Sequence, residues 1–441
     1  MSFFVTNTSI CDSTGNLLFY TNGLNIGNSN YDTVINATNF NPGEATSDGE
    51  PDGLSASQGA LFIPGPSSPS LYYLFHITGD NFFANGQFET QPTYLSYTLI
   101  DAELDNGKGA VLNDFKNIHI INDTLTWGRL SACKHGNGRD WWVIIHRYYS
   151  NLFFKLLITP QGIEGPFEQQ MGSIVTKDIY GQACFSPDGS RFAMISPSDT
   201  LDYFQFNRCT GEFYDPLIIS VPDSTGTIGC SFSPNNRFLY VSSKYNLYQY
   251  DTWNSNMIEN VIHIAAWDTF KELGVSVFFD THQLAPDNKI YISSFNGVSY
   301  LNVINSPDLF GLSCDFAPHS FVLPQYNSTL PTFPNYDLGA LQGSPCDTLS
   351  GLSTSFSIPY KSSYRIVPNP VSDWLNIIYQ NSEDALFELF DINGRRVAAV
   401  SLYHYFRNRL IEMNDLPAGV YLATVTQNGK QVWSEKVVVV Q

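Results

Sequence analysis

The sequence predicts an all-β chain, a β-propeller of seven blades followed by a small immunoglobulin-like β-sandwich. A strand–turn–strand unit recurs about every 50 residues through the first 300, the signature of a ring of like sheets. Aromatic residues make up 15% of the chain against 14% charged, with 32 Gly and 24 Pro, a balance that suits many strands joined by tight turns. No run of about 18 apolar residues occurs, and no long amphipathic periodicity, so the sequence offers neither a membrane-spanning helix nor a helical core.

Taken in order, the ring is announced by its turns. Residues 185–193 read Phe-Ser-Pro-Asp-Gly-Ser-Arg-Phe-Ala, residues 232–240 Phe-Ser-Pro-Asn-Asn-Arg-Phe-Leu-Tyr, and residues 284–291 Leu-Ala-Pro-Asp-Asn-Lys-Ile-Tyr. Pro187, Pro234 and Pro286 lie 47 and 52 residues apart. That is the period of a propeller blade, whose two apolar faces are covered only when blades stack in a ring. Weaker copies precede them at residues 135–143 (His-Gly-Asn-Gly-Arg-Asp-Trp-Trp-Val), 69–75 (Pro-Ser-Leu-Tyr-Tyr-Leu-Phe) and 13–20 (Ser-Thr-Gly-Asn-Leu-Leu-Phe-Tyr). These six hairpins leave one gap. Ser70 and Gly138 are 68 residues apart, too far for one blade, and the strand-like run 93–99 between them predicts a seventh, with six and eight as the neighbouring counts. The ring is placed at residues 1–345. Residues 346–363, rich in Ser and Thr and without a periodic core, read as a linker.

The sandwich is placed at residues 364–441, where short strands alternate with turn signals. Pro368 and Pro370 remove two backbone donors, so Pro-Asn-Pro reads as an extended segment outside a ladder. Asn393-Gly394 and Asn428-Gly429 each predict a two-residue hairpin turn, since both positions tolerate φ > 0.

Four pieces of this region stand in a set order over the last 78 residues. They are Pro368-Asn369-Pro370, the run Asp391-Ile392-Asn393-Gly394-Arg395, the run Leu416-Pro417-Ala418-Gly419-Val420-Tyr421, and Lys436 followed by four valines. In this the region resembles the type A C-terminal sorting domains of the Bacteroidetes type IX secretion system. Gln441 stands where that family often carries a basic residue. The resemblance implies passage across the outer membrane, a secreted or cell-surface location, and the type IX machinery as partner. It makes Pro368, Asn369, Pro370, Asn393, Gly394, Pro417, Gly419, Tyr421 and Lys436 the sorting-signal residues. It also implies an export signal ahead of the chain. The opening Met-Ser-Phe-Phe-Val-Thr-Asn lacks a basic start and a long apolar core, so the chain is expected to begin after such a segment.

A second resemblance covers most of residues 10–340. Residues 12–23, 57–64, 135–143, 303–308 and 314–316 look like the uncharacterised secreted propellers of Bacteroidetes that are joined to sorting or gliding-associated C-termini. That family implies a location and a shape but no chemistry. It usually has a further strand ahead of the position of Met1, which leaves the closure of the ring open.

Net charge is −19, and its distribution narrows the partners. From residue 361 onward eight basic residues balance eight acidic ones, so the first 360 hold 14 basic against 33 acidic residues and all of the excess. Such a surface repels phosphate backbones and anionic lipid, which argues against nucleic acid as a partner. The seven cysteines lack the Cys-x-x-Cys spacing of a zinc site, and their pairing cannot be read from spacing.

Catalytic signatures are sparse. The chain has no Gly-x-Ser-x-Gly elbow, no His-Glu-x-x-His and no Walker loop. The turn units lack the Gly-His and Trp-Asp pairs of eukaryotic WD repeats, and their Asp and Gly serve turn geometry. His135, Arg139 and His146 flank a Trp141-Trp142 strand and are the candidates for a binding site at the channel mouth, weighed against a structural role for both histidines. Alternation buries that strand on both faces. Asp48, Glu50 and Asp52 form a compact acidic stretch that could hold Ca²⁺, weighed against a solvated loop. Asp-Thr-Leu at 123–125, 199–201 and 347–349 resembles short O-glycan acceptors of this bacterial group. The leading functional reading is a binding or adhesion module for an extracellular ligand, a glycan or a protein. The alternatives are a propeller-type hydrolase or lactonase working in the axial channel, and a structural surface component.

Overall fold

The computed structural model describes all residues except 85–86, 176–180, 197–198, 224, 255, 348–363, 368, 380–382, 404–407 and 441, with the backbone alone at 45, 81–84, 87–90, 227 and 367. The chain divides into two compact units. One comprises residues 1–64, 70–156 and 166–350, the other residues 65–69, 157–165 and 351–441.

Each of the six repeated turns builds the innermost hairpin of one antiparallel sheet. The first sheet has three strands, Thr8–Cys11, Leu17–Thr21 and Ile26–Asn28. The second runs Ala60–Pro64, Leu71–Ala84, Gln87–Asp101 and Ala110–Val111, with Ile118–Asn122 also paired to the third of these. Four-stranded meanders follow, starting at Ser131–Lys134, Ala183–Phe185, Thr227–Phe232 and His282–Leu284. A two-stranded ribbon, Lys271–Glu272 with Val275–Ser276, lies between the fifth and sixth. Among the described residues the propeller therefore has six blades, and the expected count of seven is corrected. The run 93–99 that suggested another blade is the later half of the unusually long strand Gln87–Asp101, paired along its length with Leu71–Ala84.

Facing sheets bury one another's apolar faces, which is what makes the ring. Ile195, Leu201 and Tyr203 of the fourth blade pack with Cys230, Leu239 and Val241 of the fifth. Phe238, Tyr240 and Leu247 of the fifth pack with Ile290, Ile292 and Ile304 of the sixth, and Phe19 and Ile26 of the first with Phe62 and Leu74 of the second. All six residues of Trp141–His146 are buried, as alternation required.

Closure comes from the stretch after the last blade. The Thr332 N–H donates to the Asn7 carbonyl at 2.9 Å, and Thr8 Oγ1 donates to the Thr332 carbonyl at 2.7 Å. A segment from the end of the ring thus lies beside the innermost strand of the first, three-stranded blade. From there the chain crosses the ring on the side of the repeated turns. Tyr336 donates its hydroxyl to the Phe62 carbonyl, Lys134 Nζ donates to the Tyr336 carbonyl, and Arg208 donates to the Gly339 carbonyl at 2.6 Å. This strap ends in a disulfide between Cys346 and Cys209.

Five of the six turns share one geometry. At Gly15, Gly138, Gly189, Asn236 and Asn288 the N–H donates to the carbonyl three residues back, and each of these residues has φ between 63° and 87°. Asp188 Oδ1 accepts from Ser186 Oγ at 2.6 Å and from the Ser190 N–H at 2.9 Å, which fixes the loop from inside. Neighbouring turns then lock together, since Asn236 Oδ1 accepts the Asp188 N–H at 2.8 Å.

The second unit carries two sheets. Tyr364–Val367, Trp374–Tyr379 and Asn408–Glu412 form one; Arg396–Leu402, Ala385–Phe390, Gly419–Gln427 and Lys430–Val439 form the other. Their inner faces supply a core that includes Leu375, Ile377, Phe387, Leu389, Val425 and Val437, all at most 0% exposed. This is the expected immunoglobulin-like sandwich. Asn428-Gly429 is a two-residue turn with both φ positive, at 51° and 72°, closed by the Gln427–Lys430 pair. Asn393-Gly394 differs from expectation. Only Gly394 has a positive φ, 79°, and the loop is the five-residue Asp391–Arg395 turn, because Asp391 Oδ1 captures the N–H groups of both Asn393 and Arg395 at 2.9 Å.

Candidate functional site

The innermost strands of five blades and the strap enclose a cavity of about 410 Å³ on the ring axis. Its wall is made of strand residues such as Leu61, Ser131, Ala183, Ser231 and Leu284, and its cover on the turn side is residues 332–338. Two glutamines hold the strands around it. Gln58 pairs with both backbone groups of Ala183 at 2.8 Å. Gln182 Oε1 accepts the N–H groups of Cys230 at 3.1 Å and His282 at 2.9 Å, tying three consecutive blades together.

The acid–base side chains in the lining are His282 and Asp337. His282 is buried, and burial pushes its imidazole down to about 3, so it is neutral at any working pH. Its Nε2 lies 2.9 Å from Ser242 Oγ, and Ser242 donates its own proton to the Asp280 carbonyl at 2.9 Å. Nε2 therefore carries the hydrogen, and Nδ1 is buried without a partner. In this arrangement His282 is not a base for Ser242.

None of the three residues expected at the channel mouth lines this cavity. His135 Nδ1 accepts the Asn137 N–H at 3.1 Å, so its Nε2 donates to the Cys209 carbonyl at 3.0 Å and ties the third blade's turn to the fourth blade. Arg139 forms a two-point ion pair with Asp140 at the tip of the same turn, at 2.6 and 3.1 Å. His146 lies at the far end of Trp141–His146, buried edge-on against Phe153 at 4.6 Å, and burial pushes it down to about 3. One hairpin holds all three but at its two opposite ends, which is why they do not converge.

Asp48 belongs to a short helix, Glu44–Gly49, and Glu50 and Asp52 follow it; all three are exposed. Among the described residues no group of three His, Cys, Asp or Glu side chains is arranged to hold a metal ion. Of the Asp-Thr-Leu stretches, Leu125 and Leu201 are fully buried, and residues 348–349 of the third lie outside the described residues.

In the second unit Asn369, one of the residues expected to carry the sorting signal, fastens the last strand. Asn369 Nδ2 donates to the Lys436 carbonyl at 2.6 Å, and Asn369 Oδ1 accepts the Val438 N–H at 2.9 Å. Val371 continues the contact, since its N–H donates to the Val438 carbonyl and its carbonyl accepts the Val440 N–H, both at 2.8 Å. Tyr421 is buried and donates its hydroxyl to the Pro417 carbonyl at 2.7 Å. Gly419 opens the strand opposite Val439, Pro370 and the Lys436 side chain are exposed, and Pro368 lies outside the described residues. The terminal strand is thus pinned at both edges, by Asn369 and Val371 on one side and by Gly419–Gln427 on the other.

Among the described residues the chain is a six-bladed propeller followed by a seven-stranded sandwich with this pinned terminus. Residues 365–440 match the family described as Secretion system C-terminal sorting domain, which assigns the chain to type IX export and to a secreted or cell-surface location. No curated protein matches the chain. Among solved structures it is similar to a protein from Lactobacillus plantarum, with 11% identity over 92% of this chain and 98% of that one and a TM-score of 0.40. It is also similar to a periplasmic gluconolactonase of Pseudomonas aeruginosa, with 12% identity, 80% and 88% coverage and a TM-score of 0.36. A functionally unknown protein from Desulfotomaculum acetoxidans shares 12% identity over 78% of this chain and 95% of that one, with a TM-score of 0.34. Among the described residues no helix is long and apolar enough to cross a membrane.

Proposed function

We propose that the chain is an exported binding protein of a Bacteroidetes cell. Residues 1–345 are the cargo, 346–363 the linker, and 364–441 the part handed to the type IX machinery. The ring binds an uncharged, hydroxyl-rich ligand of the glycan class in its axial cavity. The observation that carries this reading is the chemistry of the cavity wall. Hydroxyl, amide and main-chain groups line it between apolar side chains such as Leu61, Phe185, Leu284 and Phe333, with thiols at Cys184 and Cys230, one carboxylate at Asp337 and an imidazole at His282 that stays neutral. Its size, about 410 Å³, falls within the roughly 300–1,000 Å³ of small-ligand pockets. A wall that mixes neutral donors and acceptors with apolar surface suits a sugar, which offers both hydroxyls and C–H faces and needs no counter-charge. The acidic excess of the first 360 residues acts against anionic competitors.

A glycan-array screen followed by calorimetry on the full chain tests this. Neutral mono- or oligosaccharides are expected to bind. Preference for anionic ligands would contradict the reading. Turnover of a sugar lactone would move the chain to the hydrolase class.

A further inference from the structure

We propose that Cys184 and Cys230 form a reactive thiol pair in the wall of the axial cavity that closes to a disulfide when a small disulfide reagent enters. The two sulfurs are 3.5 Å apart, on the innermost strands of the fourth and fifth blades. A disulfide needs about 2.05 Å, so closure asks for a movement shared between two side chains and no rearrangement of the sheets.

The backbones that carry the pair are held. Cys184 is in register with Ala193 inside its own blade, and the Cys230 N–H is bound at 3.1 Å by Gln182, two residues before Cys184. The same glutamine holds His282 of the next blade, so the strands on either side of the thiols are fixed relative to each other. Export adds an independent reason. The matched sorting domain sends the chain out of the cytoplasm, where thiols are no longer kept reduced.

The two cysteines divide the work by exposure. Cys184 is half-buried and lines the cavity, so it meets the reagent first. Cys230 is fully buried, and burial followed by the neighbouring Cys184 pushes its thiol up, which makes it a poor first nucleophile and suits it to resolve the intermediate. In the first step the Cys184 sulfur attacks one sulfur of the reagent and releases the other half as a thiol. In the second the Cys230 sulfur attacks Cys184 and releases the remaining half. Two protein thiols and one disulfide reagent give one protein disulfide and two small thiols, and the two protons leave on those products.

The test treats the full-length chain with cystamine, quenches with acid, alkylates under denaturing conditions and maps the peptides by mass. Wild-type protein is expected to lose two alkylation sites besides Cys11, with the peptides bearing Cys184 and Cys230 recovered as one linked species. Cys11, which is exposed, takes up the reagent in every sample and reports that the treatment worked. Cys230→Ser is expected to stop at a stable mixed disulfide on Cys184, and Cys184→Ser to leave Cys230 unmodified. Recovery of both wild-type cysteines as alkylated thiols, with Cys11 fully modified, overturns the proposal whether or not either variant folds. A mixed disulfide that persists on wild-type Cys184 overturns it as well, because the partner sulfur would then be out of reach.

Discussion

His146 shows how a residue chosen for chemistry can be spent on packing. A histidine beside two tryptophans in a propeller suggests a channel group, yet its ring is buried at one end of a strand whose every residue is covered. Neither ring nitrogen has a partner. Burial, reinforced by the Arg129 charge, holds the folded-state value near 3 against an ordinary 6.5. Between those values the unfolded chain takes up a proton that the native chain does not. Stability is therefore lost as the pH falls below about 6.5, at about 1.4 kcal/mol per unit, or roughly 3 kcal/mol by pH 4.5. His76 and His282, both fully buried and both pushed down to about 3, add to the same slope. Asp280 opposes it, because burial raises its carboxyl to about 6 and protonation below that value favours the native state. His146→Phe is expected to keep about 3 kcal/mol more of its neutral stability at pH 4.5 than the wild type, read by urea titrations at the two pH values. An unchanged slope would mean that the imidazole reaches water.

The turns were legible at the scale of elements because each is a local event. Ser-Pro-Asp-Gly and its variants place one left-handed residue, Gly189, Asn236 or Asn288, at the point where the loop must bend back, and the pattern needs no knowledge of the partner blade. Asn428-Gly429 was legible for the same reason. The Asn393-Gly394 turn was misjudged because its shape is set two residues earlier, by a carboxylate at Asp391 that binds two backbone N–H groups. The strap was not legible at all. Its anchors, Lys134, Arg208 and Cys209, lie more than 120 residues before the chain they hold, and nothing local marks residues 332–346 as structured. Its disulfide closes a separation of 137 residues, for which a loop-entropy argument gives a stabilisation of about 2–5 kcal/mol. The Cys209→Ser/Cys346→Ser double variant is expected to lose that amount in a denaturant titration and to gain proteolytic cuts within residues 329–346. Loss of stability without new cuts would place the effect outside the strap.

At the scale of the whole molecule, the fold class and the terminal address were legible, whereas the cavity was not. Periodicity reports which faces are buried, and six hairpins of one kind can only bury theirs in a ring. Which side chains reach the axis depends instead on where each innermost strand begins. The sequence offered Gln58 within Ser57-Gln58-Gly59-Ala60 and a second copy in Gly181-Gln182-Ala183, and the recurrence of glutamine before an inner strand was the signal available. The blade count failed because one hairpin is twice the usual length. The address was legible in part because one of its motif residues, Asn369, is itself a contact. Asn369 grips the last strand on either side of Val437, so a change there is felt at the chain's end. Removal of residues 364–441 leaves the ring its own hydrophobic cores and its own closure through Thr332 and the Cys209–Cys346 bridge. The truncated chain is therefore expected to fold, with the melting behaviour of the ring preserved, and to accumulate in the periplasm. Fusion of residues 364–441 to an unrelated periplasmic protein is expected to carry that protein to the cell surface or the medium. Immunoblots of periplasm, cell surface and medium read both arms, and a truncated ring that still leaves the cell would show that the export information lies in the propeller.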